Sequence, residues 1–180
     1  MRSFLGLVDD RFQLNAYIKL VVQLGAGFFA WYTGIRISIF QTPAIDALVT
    51  ILWIVGITNA MNFLDNMDGL CAGVSAIAAL SFFACVLPSS QTFLCVLLMV
   101  FAGAVCGFLY HNFSPARIFM GDAGAMFCGY ILATVAVLGT FYTAEATPSR
   151  IALIAPVLAL SVPIFDTISV VFIRWRNGES

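Results

Sequence analysis

Charge is what this sequence has least of. Of its 180 residues, 9% are Asp, Glu, Lys or Arg and 62% are hydrophobic, with 17 Phe and a mean hydropathy of +1.02. A chain so poor in polar surface would expose large apolar patches in water, which excludes a soluble globular domain. Basic residues are few and scattered: the eight Lys and Arg form no patch, so nucleic acid is excluded as a partner. Histidine occurs once, as His111 at a predicted helix end, where it reads as an interfacial structural residue. The five cysteines, Cys71, Cys85, Cys95, Cys106 and Cys128, are odd in number and lack any CxxC pair. That pattern excludes a disulfide framework and leaves them as small packing residues. The stretch Phe4 to Val8 is too short for a signal-peptide core before Asp9 and Asp10, and reads as the tail of a helix.

What the chain has in quantity is long apolar runs. With about 20 residues needed to cross a bilayer, such runs lie at about 14–32, 44–62, 70–88, 92–111, 123–142 and 151–173. Gln41-Thr42-Pro43, Pro88-Ser89-Ser90, Ser114-Pro115 and Thr147-Pro148-Ser149 punctuate them. In lipid each crossing must satisfy its own backbone hydrogen bonds, and the alternation of a barrel is absent. The expected fold is an all-α polytopic membrane bundle of about six helices, a single transmembrane domain over residues 1–180.

Crossing parity then sorts the charges. Asp9 and Asp10 precede the first crossing, the polar run Asn59 to Asp68 follows the second, and Asp122 follows the fourth. All three acidic groups therefore emerge on one face. That face also receives Arg11, Lys19, Arg117, Arg174 and Arg176, against Arg36 and Arg150 on the other. By the positive-inside rule it is cytoplasmic, which predicts a multi-pass plasma-membrane protein.

Charged groups at a bilayer boundary carry a desolvation cost and read as a functional site. Carboxylates and the amides of Asn59 and Asn62 are hard oxygen ligands suited to Mg²⁺, which is commonly held by one or two carboxylates together with substrate phosphates. Phosphoryl transfer needs little beyond positioning and charge neutralisation, and Lys19, near the start of its helix, is the basic candidate.

Three segments resemble one family. Asn59-Ala-Met-Asn62-Phe-Leu-Asp65-Asn-Met-Asp68-Gly69-Leu70, Asp9-Asp10 within Leu7 to Leu14, and Phe119-Met-Gly121-Asp122-Ala-Gly124 look like the polyprenyl-phosphate N-acetylhexosamine-1-phosphate transferases. The likeness runs in order along essentially the whole chain, including Asn112-Phe-Ser-Pro-Ala-Arg-Ile118 and Pro163-Ile-Phe-Asp166-Thr167. The resemblance implies transfer of a sugar 1-phosphate from a UDP-sugar to a polyprenyl (undecaprenyl) phosphate, with release of UMP and dependence on Mg²⁺, or Mn²⁺ in its place. It implies that Asn62 and Asp122 ligate the metal and that Lys19 contacts the diphosphate. Asn59, Asp65 and Asp68 would form the nucleotide side, with Asp65 and Asp68 also catalytic. Asp9 and Asp10 would position or deprotonate the lipid phosphate, and a homodimer is compatible with the family. Relative to it, the N-terminal helices, a histidine-bearing cytoplasmic loop and the last helix are expected to be missing.

Other readings compete with these. Asp9-Asp10 and Asp122 each suit a helix start, the latter as an N-cap. Asp65 and Asp68, three apart, share a face only if that stretch is helical. An EF-hand fails, because Gly69 at its sixth position puts Leu64 first and Ser75 twelfth. Asp166, about 10 Å inside the last helix, divides between a structural and a site role. Gly69-xxx-Gly73 and Gly103-xxx-Gly107 permit close helix packing. A phospho-N-acetylmuramoyl-pentapeptide transferase, a non-catalytic membrane remnant and an ion-coupled transporter module are the alternative functions. Acids gathered at one boundary, with no internal repeat, count against transport.

Overall fold

The computed structural model describes residues 16–37, 42–89, 91–144 and 150–178, with the side chains of 16, 140–144 and 150–154 left aside. Seven α-helices and one 3₁₀ turn follow in order among the described residues, and no strand occurs there. They are α1 (Ala16–Tyr32), α2 (Pro43–Leu64), α3 (Leu70–Val86) running into the 3₁₀ turn Leu87–Ser89, α4 (Thr92–Asn112), α5 (Gly121–Ala144), α6 (Arg150–Ala159) and α7 (Ser161–Asn177). Four spans are long and apolar enough to cross a membrane: Pro43–Leu64, Leu70–Ser89, Thr92–Asn112 and Gly121–Gly139. The first expected crossing is α1, whose 17 residues extend for about 26 Å at 1.5 Å per residue.

The sixth expected crossing is not one helix but two. Pro163 has no N–H to donate to the Ala159 carbonyl, the last residue of α6, so the ladder loses a bond there, although the fully buried Leu160 between α6 and α7 still donates to Pro156 and accepts from Ile164. Composition could not reveal this, because the proline sits inside an unbroken apolar run.

Two helix pairs make the frame: α2 packs most extensively against α5, and α3 against α4. The first helix and α7 flank α2, while α6 lies against α3 and α5. The core is rich in small side chains, among them Ala60, Ala72, Ala78, Ala79, Ala125 and Ala133, all almost fully buried. Small residues let helix backbones approach closely where lipid supplies no hydrophobic drive for association. The outer surface is apolar, with Ile77, Phe93, Val100 and Phe165 exposed as a lipid-facing belt requires.

Two helix backbones approach closely at Gly129. A Cβ there would stand 2.8 Å from Thr58 Cα and 3.1 Å from the Ile57 carbonyl oxygen, so α2 and α5 meet without room for any side chain. By contrast, a Cβ on Gly73, Gly103 or Gly107 meets nothing within 4 Å, so these glycines mediate no close helix contact among the described residues. Gly129→Val forces backbone against backbone, where no flexible side chain can give way. It is expected to destabilise the protein by about 3 kcal/mol, the upper end of overpacking costs, read as a lower melting temperature in detergent. Gly103→Val, in open space, should leave the melting temperature close to that of the wild type.

Candidate functional site

One end of the bundle gathers the start of α1, the end of α2, the start of α3, the end of α4 and the start of α5. There the two charged residues that parity placed on a common face meet: Lys19 Nζ donates to Asp122 Oδ2 at 2.6 Å, joining α1 to α5 across 103 residues of chain. Lys19 is the only lysine in the sequence. Asp122 lies inside the first turn of α5, since the helix already begins at Gly121, whose φ is 65°. It is thus not the N-cap residue.

One helical turn deeper lies a layer of neutral polar groups of which sequence reasoning singled out Asn59 and missed Gln23. Gln23, 3% exposed, donates from Nε2 to Asn59 Oδ1 at 3.3 Å and to Met126 Sδ at 3.4 Å. Asn59 Nδ2 returns a bond to Gln23 Oε1 at 2.7 Å and also donates to the Val55 carbonyl at 2.8 Å. A signal for Gln23 was present: it follows Lys19 by four residues, the spacing that shares a helix face.

Beyond α2 the chain leaves the helix. Asp65 is the C-cap of α2, with its N–H donating to the Asn62 carbonyl at 3.3 Å, and residues 65–69 form turns. Asp65 and Asp68 therefore do not share a helical face: Asp65 is half-buried and Asp68 exposed. Gly69 closes the turn at a φ of 74°, a left-handed conformation open to glycine. A second loop, residues 113–120, is laced to this one. Asn112, 4% exposed, accepts from the Gly69 N–H at 3.0 Å and donates to the Ile118 carbonyl at 2.8 Å. Asp68 Oδ2 accepts from the Ala116 N–H at 3.0 Å, and the Arg117 N–H donates to the His111 carbonyl at 2.9 Å. The Asn59 to Leu70 segment and the Asn112 to Ile118 segment are thereby held together by a buried asparagine and a carboxylate. Asn112→Leu strands the Gly69 N–H and the Ile118 carbonyl, and is expected to cost about 2 kcal/mol, measurable by thermal unfolding in detergent.

Motif order, crossing pattern and the geometry of this end all point to one family, and comparison with known proteins decides it. Residues 1–140 match the family described as "Glycosyl transferase family 4". The chain belongs to that family. It is 36% identical to the "Probable undecaprenyl-phosphate N-acetylglucosaminyl 1-phosphate transferase" of Bacillus subtilis (strain 168), over 97% of this chain and 50% of that protein. It is 35% identical to the "Decaprenyl-phosphate N-acetylglucosaminephosphotransferase" of Mycobacterium tuberculosis (strain CDC 1551 / Oshkosh), over 98% of the chain and 50% of the relative. A "Phospho-N-acetylmuramoyl-pentapeptide-transferase" of Moorella thermoacetica is 31% identical over 94% of the chain and 56% of its own length. This family 4 chain thus spans about half the length of the curated relatives it matches.

In this glycosyl transferase family 4 chain the donor set suits a hard divalent cation. Asn62 Oδ1 is buried and has no hydrogen-bond partner, an expense a bundle does not bear without reason. An amide oxygen and a carboxylate are ligand types that Mg²⁺ accepts, together with phosphates. Among the described residues no group of three or more His, Cys, Asp or Glu side chains could hold a metal. Asp9 and Asp10 lie outside the described residues. Asp166 Oδ2 and Thr167 Oγ1 on α7 are also buried without partners, on a helix packed against α2.

Proposed function

We propose that this chain carries the catalytic end of an enzyme that transfers a sugar 1-phosphate, of the N-acetylhexosamine type, from a UDP-sugar to a polyprenyl phosphate, at the cytoplasmic face of the plasma membrane. The observation that supports it most is the Lys19–Asp122 pair at one end of the bundle, joining two helices that pack against α2, which carries the unpartnered Asn62 oxygen. The relatives' names support the class of reaction, a phosphate-linked sugar passed to a polyprenyl phosphate.

In the reaction, an oxygen of the polyprenyl phosphate attacks the β-phosphorus of the UDP-sugar. A new P–O–P bond forms, the bond from the β-phosphorus to the oxygen bridging it to the α-phosphorus breaks, and UMP leaves with that oxygen. The attacking phosphate is already anionic at neutral pH, so orientation matters more than activation. Asp9 and Asp10 are assigned to that orientation. Lys19 neutralises charge on the diphosphate, and Asp65 and Asp68 line the nucleotide side, with Asp68 also tied to the 113–120 loop. Asn59, whose amide protons go to Gln23 and the Val55 carbonyl, supports this side from one turn below. Mg²⁺, or Mn²⁺, held by Asn62 and Asp122, would supply charge stabilisation on the transferring phosphates.

The test is UMP release from UDP-N-acetylglucosamine by the membrane-embedded protein in vesicles containing polyprenyl phosphate. Release that requires the lipid and Mg²⁺, and stops with chelator, supports the reading; none with any UDP-N-acetylhexosamine contradicts it. A muramoyl-pentapeptide donor is the second reading, favoured by 46% identity over half of the chain to a "Phospho-N-acetylmuramoyl-pentapeptide-transferase" of Chlamydia trachomatis serovar L2. Release from UDP-muramoyl-pentapeptide alone would select it.

A further inference from the structure

We propose that Gln23 is a positioning residue, whose reciprocal amide pair with Asn59 sets the rotation and axial register of α1 so that Lys19 and Asn62 face the phosphates. This rests on the site assignment just given. The three helices that carry the site are layered in step. Gln23 follows Lys19 by four residues on α1, Met126 follows Asp122 by four on α5, and Asn59 precedes Asn62 by three on α2. Residues so spaced stack on one helix face. Each site residue therefore stands one turn above a member of the buried layer formed by Gln23, Asn59 and Met126.

The layer is saturated. Gln23 Nε2 serves Asn59 and Met126, Gln23 Oε1 accepts from Asn59, and the second Asn59 proton goes to the Val55 carbonyl of its own helix. Both amide groups are thus fixed in orientation, and neither can flip without losing bonds on two sides. Packing alone does not call for such a pair, since a leucine fills a comparable volume without polar atoms. A buried polar pair in a bundle is best explained by the register it enforces, because any other rotation of α1 strands three N–H protons and two amide oxygens in an apolar layer. The backbone of α1 packs against α2, and the helix reaches α5 through Lys19 and Gln23. A rotation of α1 would therefore withdraw the ammonium from Asp122 directly.

Groups that orient a site from behind it, when removed, typically lower metal affinity or activity by about 10- to 100-fold. Four proteins test the inference in the same vesicles: wild type, Gln23→Leu, Asn59→Leu, and the exchange Gln23→Asn with Asn59→Gln, which keeps one long and one short amide. Two readouts are taken, Mn²⁺ affinity by electron paramagnetic resonance in the presence of UDP, without turnover, and kcat and KM for UDP-sugar. Each single variant is expected to bind Mn²⁺ about 10- to 100-fold more weakly and to lose kcat/KM by a similar factor. Its KM for polyprenyl phosphate should be unchanged. The exchanged pair should recover most of both, which a purely volumetric role would not give.

Wild-type Mn²⁺ affinity in Gln23→Leu overturns the inference, as does equal impairment of the singles and the exchange. If the wild type binds Mn²⁺ but releases no UMP, the transferase reading fails while the Mn²⁺ series still decides the role of Gln23. If the wild type binds no Mn²⁺, both are overturned.

Discussion

Asp122→Asn is expected to reduce kcat for UMP release by about 10³-fold, the upper range for removing one preorganised charge-stabilising group, while the protein still folds. Magnitudes separate the two effects. The Lys19–Asp122 pair is partly solvated, its side chains being 23% and 36% exposed, so its share of stability is about 1 kcal/mol or less. On the proposed assignment, loss of the carboxylate takes away a metal ligand and the acceptor that Lys19 holds at 2.6 Å. The melting temperature in detergent should therefore move by a few degrees at most, and Mn²⁺ affinity should fall together with kcat. A variant with near-wild-type kcat would remove Asp122 from the site.

Lys19→Met is the second large effect. It keeps the length of the side chain and deletes its charge, so kcat/KM for the UDP-sugar is expected to fall by about 10²-fold or more, with little change in KM for the polyprenyl phosphate. Lys19→Arg should recover only part of this, because a planar fork does not replace a compact point charge that Asp122 grips at 2.6 Å. Because the two residues form one unit, Lys19→Met combined with Asp122→Asn should be about as slow as the slower single variant, not the product of the two. Steady-state kinetics on the four proteins gives that comparison directly.

Much of this end of the molecule could be read from residues alone, and the reasons are physical. Charge is so rare in the chain that Asp9, Asp10, Asp65, Asp68 and Asp122 stood out, although Asp46 in the first turn of α2 did not. Because each crossing changes sides, that pattern placed Lys19, Asn62, Asp65, Asp68 and Asp122 at one end, where the structure gathers them. The helices from Pro43 to Ala144 followed from apolar length, with boundaries within two residues of those expected.

What escaped was whatever depends on neutral groups or on backbone. Gln23 carries no charge, and its four-residue spacing from Lys19 gained meaning only when its partner Asn59 could be seen opposite. The divided last crossing depended on which carbonyl Pro163 fails to serve. The spaced glycines of α3 and α4 looked like packing motifs, yet the close contact is made by the isolated Gly129, whose importance lies in what α2 presents to it. The turn at residues 65–69 separated two carboxylates that helical spacing would have aligned, because Gly69 takes a left-handed conformation there.

The central claim is transfer of the sugar together with its phosphate, at the end of the bundle where Lys19 meets Asp122. The most direct measurement follows the β-phosphate. UDP-N-acetylglucosamine labelled with ³²P at the β position is incubated with the protein in polyprenyl-phosphate vesicles and Mg²⁺, and lipid and nucleotide products are separated. The account predicts label in the lipid and unlabelled UMP, both lost in Asp122→Asn. Label retained in UDP, with unlabelled sugar on the lipid, would mean transfer of the sugar alone and would contradict it.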